Sequence, residues 1–237
     1  IIEQEKIVAF LDSQTSKILK LIEDKTKQME LLHEYEKSLI HRAVTKGLDP
    51  NAKMKDSGVE WIGDIPEGWK TILLKRLCSE KITDGPHETP DFIDSGVPFL
   101  SVDSIQNGKL NFENCRHISR EAFEEYKIKA NPKKGDILLG KAASVGKVAI
   151  VDVDFEFGIW SPLALIRTNP RRLLSKFLEF YLKNERLQEQ ISIISSENTQ
   201  KNIGMGKIER LIIIVPAIIE QEKIVSVLDS ETSKIHQ

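Results

Sequence analysis

Residues 1–18 read IIEQEKIVAFLDSQTSKI, and residues 218–235 read IIEQEKIVSVLDSETSKI. Fifteen of the eighteen positions are identical, at an offset of 217 residues. Stacked repeats recur every ~20–50 residues, so the two copies are not neighbouring units of a solenoid. A spacing this long suits a domain plus its connector. The sequence reads as a window across a two-part array, in which a domain feeds a helix and the pair recurs.

Outward from the first copy, Ile7, Leu11, Ile18, Leu21, Ile22, Met29, Leu32, Leu39 and Ala43 recur at steps of three, four or seven, and no Gly or Pro occurs before Gly47. The spacing predicts one helix over residues 1–45, roughly 60 Å long at about 1.5 Å per residue. Its narrow apolar seam, flanked by Lys and Glu, is the coiled-coil pattern. Gln14 or Thr15, and Lys25 or Thr26, fall on the seam, where polar residues lower stability and can fix register. The plainer alternative is a long surface helix lying on its own domain. The second copy predicts the start of a like helix over residues 216–237.

Between the helices, Gly47, Pro50, Gly58, Gly63, Pro66 and Gly68 mark residues 46–68 as a connector. Trp61, Ile62, Ile65 and Trp69 are expected to dock it on the next domain, because so many large apolar groups are not left in water. Residues 69–215 have a mixed pattern. VPFLSV (97–102), DILLG (136–140), KVAIVD (147–152), LALIRT (163–168) and LIIIV (211–215) predict strands. SREAFEEY (119–126) and RRLLSKFLEFYLKNERLQEQI (171–191) predict helices, the second with an apolar face of Leu174, Phe177, Leu178, Tyr181 and Leu182. Strands and helices do not alternate regularly, so an α+β domain is expected rather than a doubly wound sheet. Pro216 suits a strand exit, since it lacks an N–H.

Hydrophobic residues at 40% and charged residues at 30% allow a buried core. There is no uncharged apolar run of about 18 residues that could span a membrane, and Glu3, Glu5 and Lys6 are unlike a signal peptide. Cys78 and Cys115 are too few for a disulfide framework or a four-cysteine zinc site. With His87 and His117 they make a Cys₂His₂ set whose spacings match no zinc finger. A reducing, cytoplasmic location is expected. Net charge is −2, but it is unevenly spread. Lys127, Lys129, Lys133, Lys134, Lys141 and Lys147 face a single acid, Asp136, over residues 127–149, and Arg167, Arg171, Arg172 and Lys176 follow. A local basic stretch is what a nucleic-acid binder needs; a solvated face is the plain alternative.

Three polar segments are candidate contacts. GKAASVGKV (140–148) fails as a phosphate loop, because five residues separate Gly140 from Gly146 and Val148 follows Lys147. It reads instead as a glycine-flanked turn between strands, whose Lys141, Ser144 and Lys147 suit phosphodiester oxygens or base edges. SENTQKNIG (196–204) places Asn198, Thr199, Gln200, Lys201 and Asn202 between a helix and the next strand. Its amides suit adenine and its lysine suits guanine. TDGPHETPD (83–91) reads as a third rigid polar loop carrying Thr83, Asp84 and His87. Each segment has a solvated surface loop as its ordinary alternative. A metal-dependent nuclease could be sought in Asp91, Glu125 and Lys127, but residues two apart on a helix point to different faces. No Asn-Pro-Pro-aromatic methylase motif, glycine-rich dinucleotide loop or Ser/His/Asp set stands out. No catalytic site is expected.

IIEQEKIVAFLDSQTSKI, MKDSGVEWIGDIPEGW, GDILLGKAASVGKVAIV and QKNIGMGKIERLIIIVPAIIEQEKIV, in this order, resemble the DNA-specificity subunit of type I restriction–modification systems over essentially the whole chain. The resemblance implies a target-recognition domain followed by a long helix, the pair occurring twice. The two helices would form an antiparallel coiled coil that spaces two readers of a bipartite double-stranded DNA site. It implies methyltransferase subunits and a restriction/translocase subunit as partners. S-adenosylmethionine, ATP and magnesium would belong to those partners, with no cofactor on this subunit. On that pattern residues 1–45 are a conserved spacer helix, 46–68 a connector, 69–215 one recognition domain and 216–237 the start of a second helix. One recognition domain and most of a helix are then wanting, and with Ile1 in place of Met a fragment is the expectation. An exposed seam predicts a homodimer through the long helix. The competing expectations are a metal-dependent nuclease and a pure coiled-coil scaffold.

Overall fold

The computed structural model describes residues 2–195 and 202–236. Helix α1 runs unbroken over Ile2–Lys46, as the absence of Gly and Pro predicts. It stops where Gly47 takes a φ of 79°, a left-handed conformation that glycine adopts without steric cost. The segment read as a plain connector then forms a hairpin, β1 (Met54–Asp56) and β2 (Asp64–Pro66). Next come β3 (Lys70–Leu73), β4 (Thr83–Asp84), β5 (Val97–Leu100), β6 (Ile105–Gln106), β7 (Lys109–Leu110), β8 (Arg116–Ile118) and α2 (Arg120–Tyr126). They are followed by β9 (Ile137–Gly140), β10 (Val148–Ile150), β11 (Gly158–Ile159) and β12 (Leu163–Ile166). The chain continues through α3 (Ser175–Lys183), α4 (Glu185–Ile194), α5 (Met205–Glu209), β13 (Ile212–Val215) and α6 (Ile218–Ile235). The fold is α+β, and all five predicted strands form.

At the centre lies an antiparallel sheet in the order β10-β9-β12-β4. Successive side chains on a strand point to opposite faces. Ile137 and Leu139 of β9, with Ala164 and Ile166 of β12, enter the larger core. Leu138, Leu163 and Leu165 enter a second core on the other face. Because both faces are covered, these strands read as unbroken apolar runs and not as alternation. A second sheet, β11-β5-β8, is mixed: β11 runs parallel to β5 and β8 antiparallel to it. The β3–β13 pair, with Ile72 opposite Ile213, ties Lys70–Leu73 to Ile212–Val215.

The larger core gathers Ile62, Ile65, Trp69, Phe177, Tyr181 and the ends of two helices. Fully burying each such side chain contributes about 1.5–3 kcal/mol, so the expected docking of Ile62, Ile65 and Trp69 is a substantial part of its stability. Trp61 packs there half-buried. Ile40, Ala43 and Val44 of α1 meet the same cluster as Ile224 and Leu228 of α6. The start of α6 lies beside Gly47 through Glu220, and its end reaches back to Glu36 through His236, Nε2 to Oε1 3.1 Å. The two helices therefore run antiparallel over the last turns of α1. Ahead of that contact, Ile7, Leu11, Ile18, Leu21, Ile22 and Met29 are each more than half exposed.

Three expectations need correction. The helix predicted over residues 171–191 is two helices. Asn184 breaks it with extended backbone (φ −60°, ψ 130°), and its side-chain oxygen accepts from Arg186 N at 2.9 Å. That is an N-cap, and Asn before Glu185 is a start signal. Leu174 stands just outside α3 at its N-cap. Thr83 and Asp84 are not loop residues but an edge strand paired with Leu165 and Ala164. Finally, α5 intervenes between the 196–204 segment and β13.

Candidate nucleic-acid interface

Antiparallel strands β9 and β10 are joined by Lys141–Lys147, so the glycine-flanked turn predicted there forms. Gly146 N donates to Gly140 O at 2.9 Å, and Gly140 N to Lys147 O at 2.8 Å. At the tip Ser144 N donates to Ala142 O at 2.7 Å, around Ala143 with a φ of 61°. A two-residue-apart hydrogen bond about a positive φ is the rarer, strained γ-turn. Gln188 of α4 steadies the loop by donating to Gly146 O at 3.0 Å. Gly146 has a φ of 93°, and a Cβ there would stand 2.1 Å from Gln188 Oε1, so this crossing favours glycine. Lys147 is exposed and Ser144 half-buried.

Lys141 behaves differently from Lys147. It is only 6% exposed, and its Nζ stands 3.1 Å from Asp84 Oδ2. Asp84 is 5% exposed and also meets Lys129 Nζ at 2.6 Å and His87 Nε2 at 3.1 Å. Burial alone would raise the Asp84 carboxyl. The ammonium groups of Lys129 and Lys141 outweigh burial and hold it below the ordinary carboxylate range. The charge of Lys141 is thus used inside the fold, where it anchors the 141–147 loop to β4. After Asp84, the chain turns outward through Gly85. A Cβ on Gly85 would stand 1.8 Å from the Ile159 carbonyl oxygen, so the approach requires glycine. Exposed His87 follows, and Thr83 is half-buried on the preceding strand.

The third segment meets the same place. Ala142 forms an antiparallel bridge with Asn202, and Ile203 N donates to Lys141 O at 2.8 Å. Asn202 is exposed. Asn198, Thr199, Gln200 and Lys201 lie outside the described residues. Segments around residues 84, 141 and 202 are far apart in sequence, yet they meet through Asp84–Lys141 and Ala142–Asn202.

A fourth element stands beside them. Asn107 and Gly108, with φ of 50° and 72°, turn the β6–β7 hairpin and share a cleft of about 260 Å³ with Lys147, Lys183 and Gln188. Exposed Gln106 and Lys109 flank that turn. Asn-Gly between two strand residues is the strongest short hairpin signal, and it stands plainly in the sequence. Among the described residues, no group of three or more His, Cys, Asp or Glu side chains could hold a metal ion. No helix among them is long and apolar enough to cross a membrane. Cys78 is half-buried, and burial pushes its thiol up to about 12.

Known proteins resemble this chain in sequence and in overall fold. The Escherichia coli type I restriction enzyme EcoBI specificity subunit is 26% identical over 163 residues, 68% of this chain and 34% of that protein. The Methanocaldococcus jannaschii MjaVIII specificity subunit is 24% identical over 235 residues, 97% of this chain and 53% of that one. The chain therefore spans between a third and about half of the length of these curated relatives. A solved chain from a type I R-M system superposes with a TM-score of 0.72 at 19% identity, covering 99% of this chain and 52% of that one. The HsdS subunit from Thermoanaerobacter tengcongensis gives 0.61 at 19% identity, covering 100% and 52%. At such identities these likenesses speak for the fold alone. Residues 66–237, nearly three quarters of the chain, match the model of the type I restriction modification DNA specificity domain, and the chain belongs to that family.

Proposed function

We propose that this chain is a non-catalytic reader of double-stranded DNA within a type I restriction–modification complex. In this reading residues 69–215 are its target-recognition domain. The observation that carries it is the meeting of three polar segments at one end of the central sheet, through Asp84–Lys141 and Ala142–Asn202. Base reading needs amides, ammonium groups and hydroxyls held in fixed register on a rigid scaffold. Lys147, His87 and Asn202 are the exposed members of that set. Asp84 and Lys141 position them. Methyl transfer and cleavage fall to partner subunits, for which this chain supplies the docking scaffold.

In the same reading α1 is a spacer. Its first turns repeat the face that α6 buries. Gln221, Ile224 and Leu228 are fully buried, and their counterparts at the 217-residue offset are Gln4, Ile7 and Leu11. Those counterparts are exposed. The matching chemistry favours a second domain of the same kind on that face, hence a bipartite site. The apolar stripe beyond it, Ile18 to Met29, suits pairing with an antiparallel helix, including that of a second copy.

The test is selection from a randomised duplex pool. Enrichment of a short defined motif by the chain supports sequence reading. Binding without enrichment, or none at low salt, would remove it and favour the scaffold alone.

A further inference from the structure

Beside the loops lies a cleft of about 250 Å³ that the three polar segments enter only through Thr83. Its cations are Lys81, Lys127, Lys129, Lys133 and Arg167, and Glu80 also lines it. Thr83 and Leu165, paired across β4 and β12, line it as well. Most of these cations are engaged. Arg167 holds Asp136 and Glu80, each at 2.7 Å. Lys129 holds Asp84 at 2.6 Å and Lys127 holds Glu124 at 2.5 Å. Lys81 and Lys133 make no ion pair among the described residues, and both are exposed. Between Lys127 and Lys129, Ile128 is 86% exposed. A bare isoleucine at the rim among ammonium groups suits insertion into a nucleic-acid groove, where apolar side chains meet thymine methyls or wedge between base steps.

We infer that this cleft is a phosphodiester-binding subsite, in which Lys81 and Lys133 hold backbone phosphate of the bound duplex and Ile128 touches the groove. The inference rests on the DNA-reading function proposed above and adds a second contact to it. Lys129 is common to both places, since it reaches Asp84 from the cleft wall. The paired cations frame the cleft; Arg167 is shared by two carboxylates and Lys133 also acts on Glu80 at longer range, so Lys81 and Lys133 together leave the cleft a net positive charge. Neutralising a phosphate releases counterions, so each such lysine should carry about 0.9 of the slope of log affinity against log salt.

The experiment measures duplex binding by the whole chain from low to moderate salt. It compares the parent, a Lys81→Ala, Lys133→Ala double variant and an Ile128→Ser variant, with thermal melting as the folding control. The double variant should flatten the salt slope by roughly 1–2 and weaken every duplex alike. Ile128→Ser should leave the slope unchanged and alter preference between duplexes. If the parent binds and the double variant keeps its slope and affinity, the cleft is not a phosphate subsite, although the DNA reading survives. If the parent binds no duplex, both fall. Protection of Lys81 and Lys133 from acetylation by pyrophosphate but not by duplex would reassign the cleft to a free anion. Protection by a protein partner but not by duplex would make it a protein contact, and either result would overturn the inference.

Discussion

The Nζ of Lys141 lies 3.1 Å from Oδ2 of Asp84, with both residues almost wholly buried. The pair joins the loop between β9 and β10 to an edge strand 57 residues earlier in the chain. Breaking it from either side is not equivalent. Asp84→Asn strands the Lys141 ammonium in the interior, and losing one partner of a buried pair costs about 3–5 kcal/mol. Lys141→Met leaves Asp84 with Lys129 and His87 and should cost less. Urea unfolding of the two variants checks the order; equal, small losses would mean that the pair does not hold the loop.

Acid should act through the same carboxylate. The folded-state pKa of Asp84 is lowered, so its contribution is fully present above the ordinary Asp value of about 3.9 and is lost as pH falls through the lower folded value. The parent should lose stability more steeply than Asp84→Asn as pH falls from above that ordinary value through the lower folded one. Parallel acid-unfolding curves would assign the acid sensitivity to other carboxylates, such as Glu80 beside Arg167.

Gly85→Ala should disturb the site by backbone collision. The new Cβ would lie 1.8 Å from the Ile159 carbonyl oxygen, and main chain cannot swing away as a flexible side chain can. Overpacking of this kind costs about 1–3 kcal/mol, and displacement of His87 should weaken duplex binding beyond the loss in stability. Melting and duplex titration of the variant together decide it. Gly68→Ala, outside the reading surface and with open space around its Cβ, is the control.

The repeated motif permits a comparison within one molecule. Gln221 is fully buried. It accepts from Leu174 N at 2.9 Å and donates to Arg172 O at 3.1 Å and Pro216 O at 3.0 Å. Gln221→Ala leaves buried groups unpaired and should cost about 1–3 kcal/mol. Gln4→Ala, in the same sequence context but exposed, should change stability by no more than about 0.5 kcal/mol. Equal costs would show that residues 2–12 are covered in solution.

Pairing of the α1 stripe is tested by sedimentation at micromolar concentration. The parent should associate, and a Leu21→Glu, Leu32→Glu variant should not. A monomeric parent would end the helix-pairing proposal, and a variant that still associates would place the contact elsewhere.

Much of this architecture is legible in the sequence because its signals are local. Glycine and proline bound α1, and apolar runs mark β9, β12 and β13. The break at Asn184 and the turn at Asn107-Gly108 are equally local, as a cap and a hairpin dipeptide, but lie inside longer patterns that mask them. The role of Lys141 was not legible. Only the tertiary approach of β4 decides whether a lysine beside a glycine turn faces water or a buried carboxylate. The same approach turned Thr83 and Asp84 from a loop into a strand. The three polar segments could be found one by one, but their meeting depends on Ala142 bridging Asn202, which no spacing encodes.

Amide hydrogen exchange with and without duplex DNA tests the proposed reading surface most directly. The expected result is slowed exchange at residues 85–88, 142–147 and 202–204 on binding, with residues 2–32 of α1 unchanged. Slowed exchange confined to α1 or to the β1–β2 hairpin, with those three segments unaffected, would contradict it.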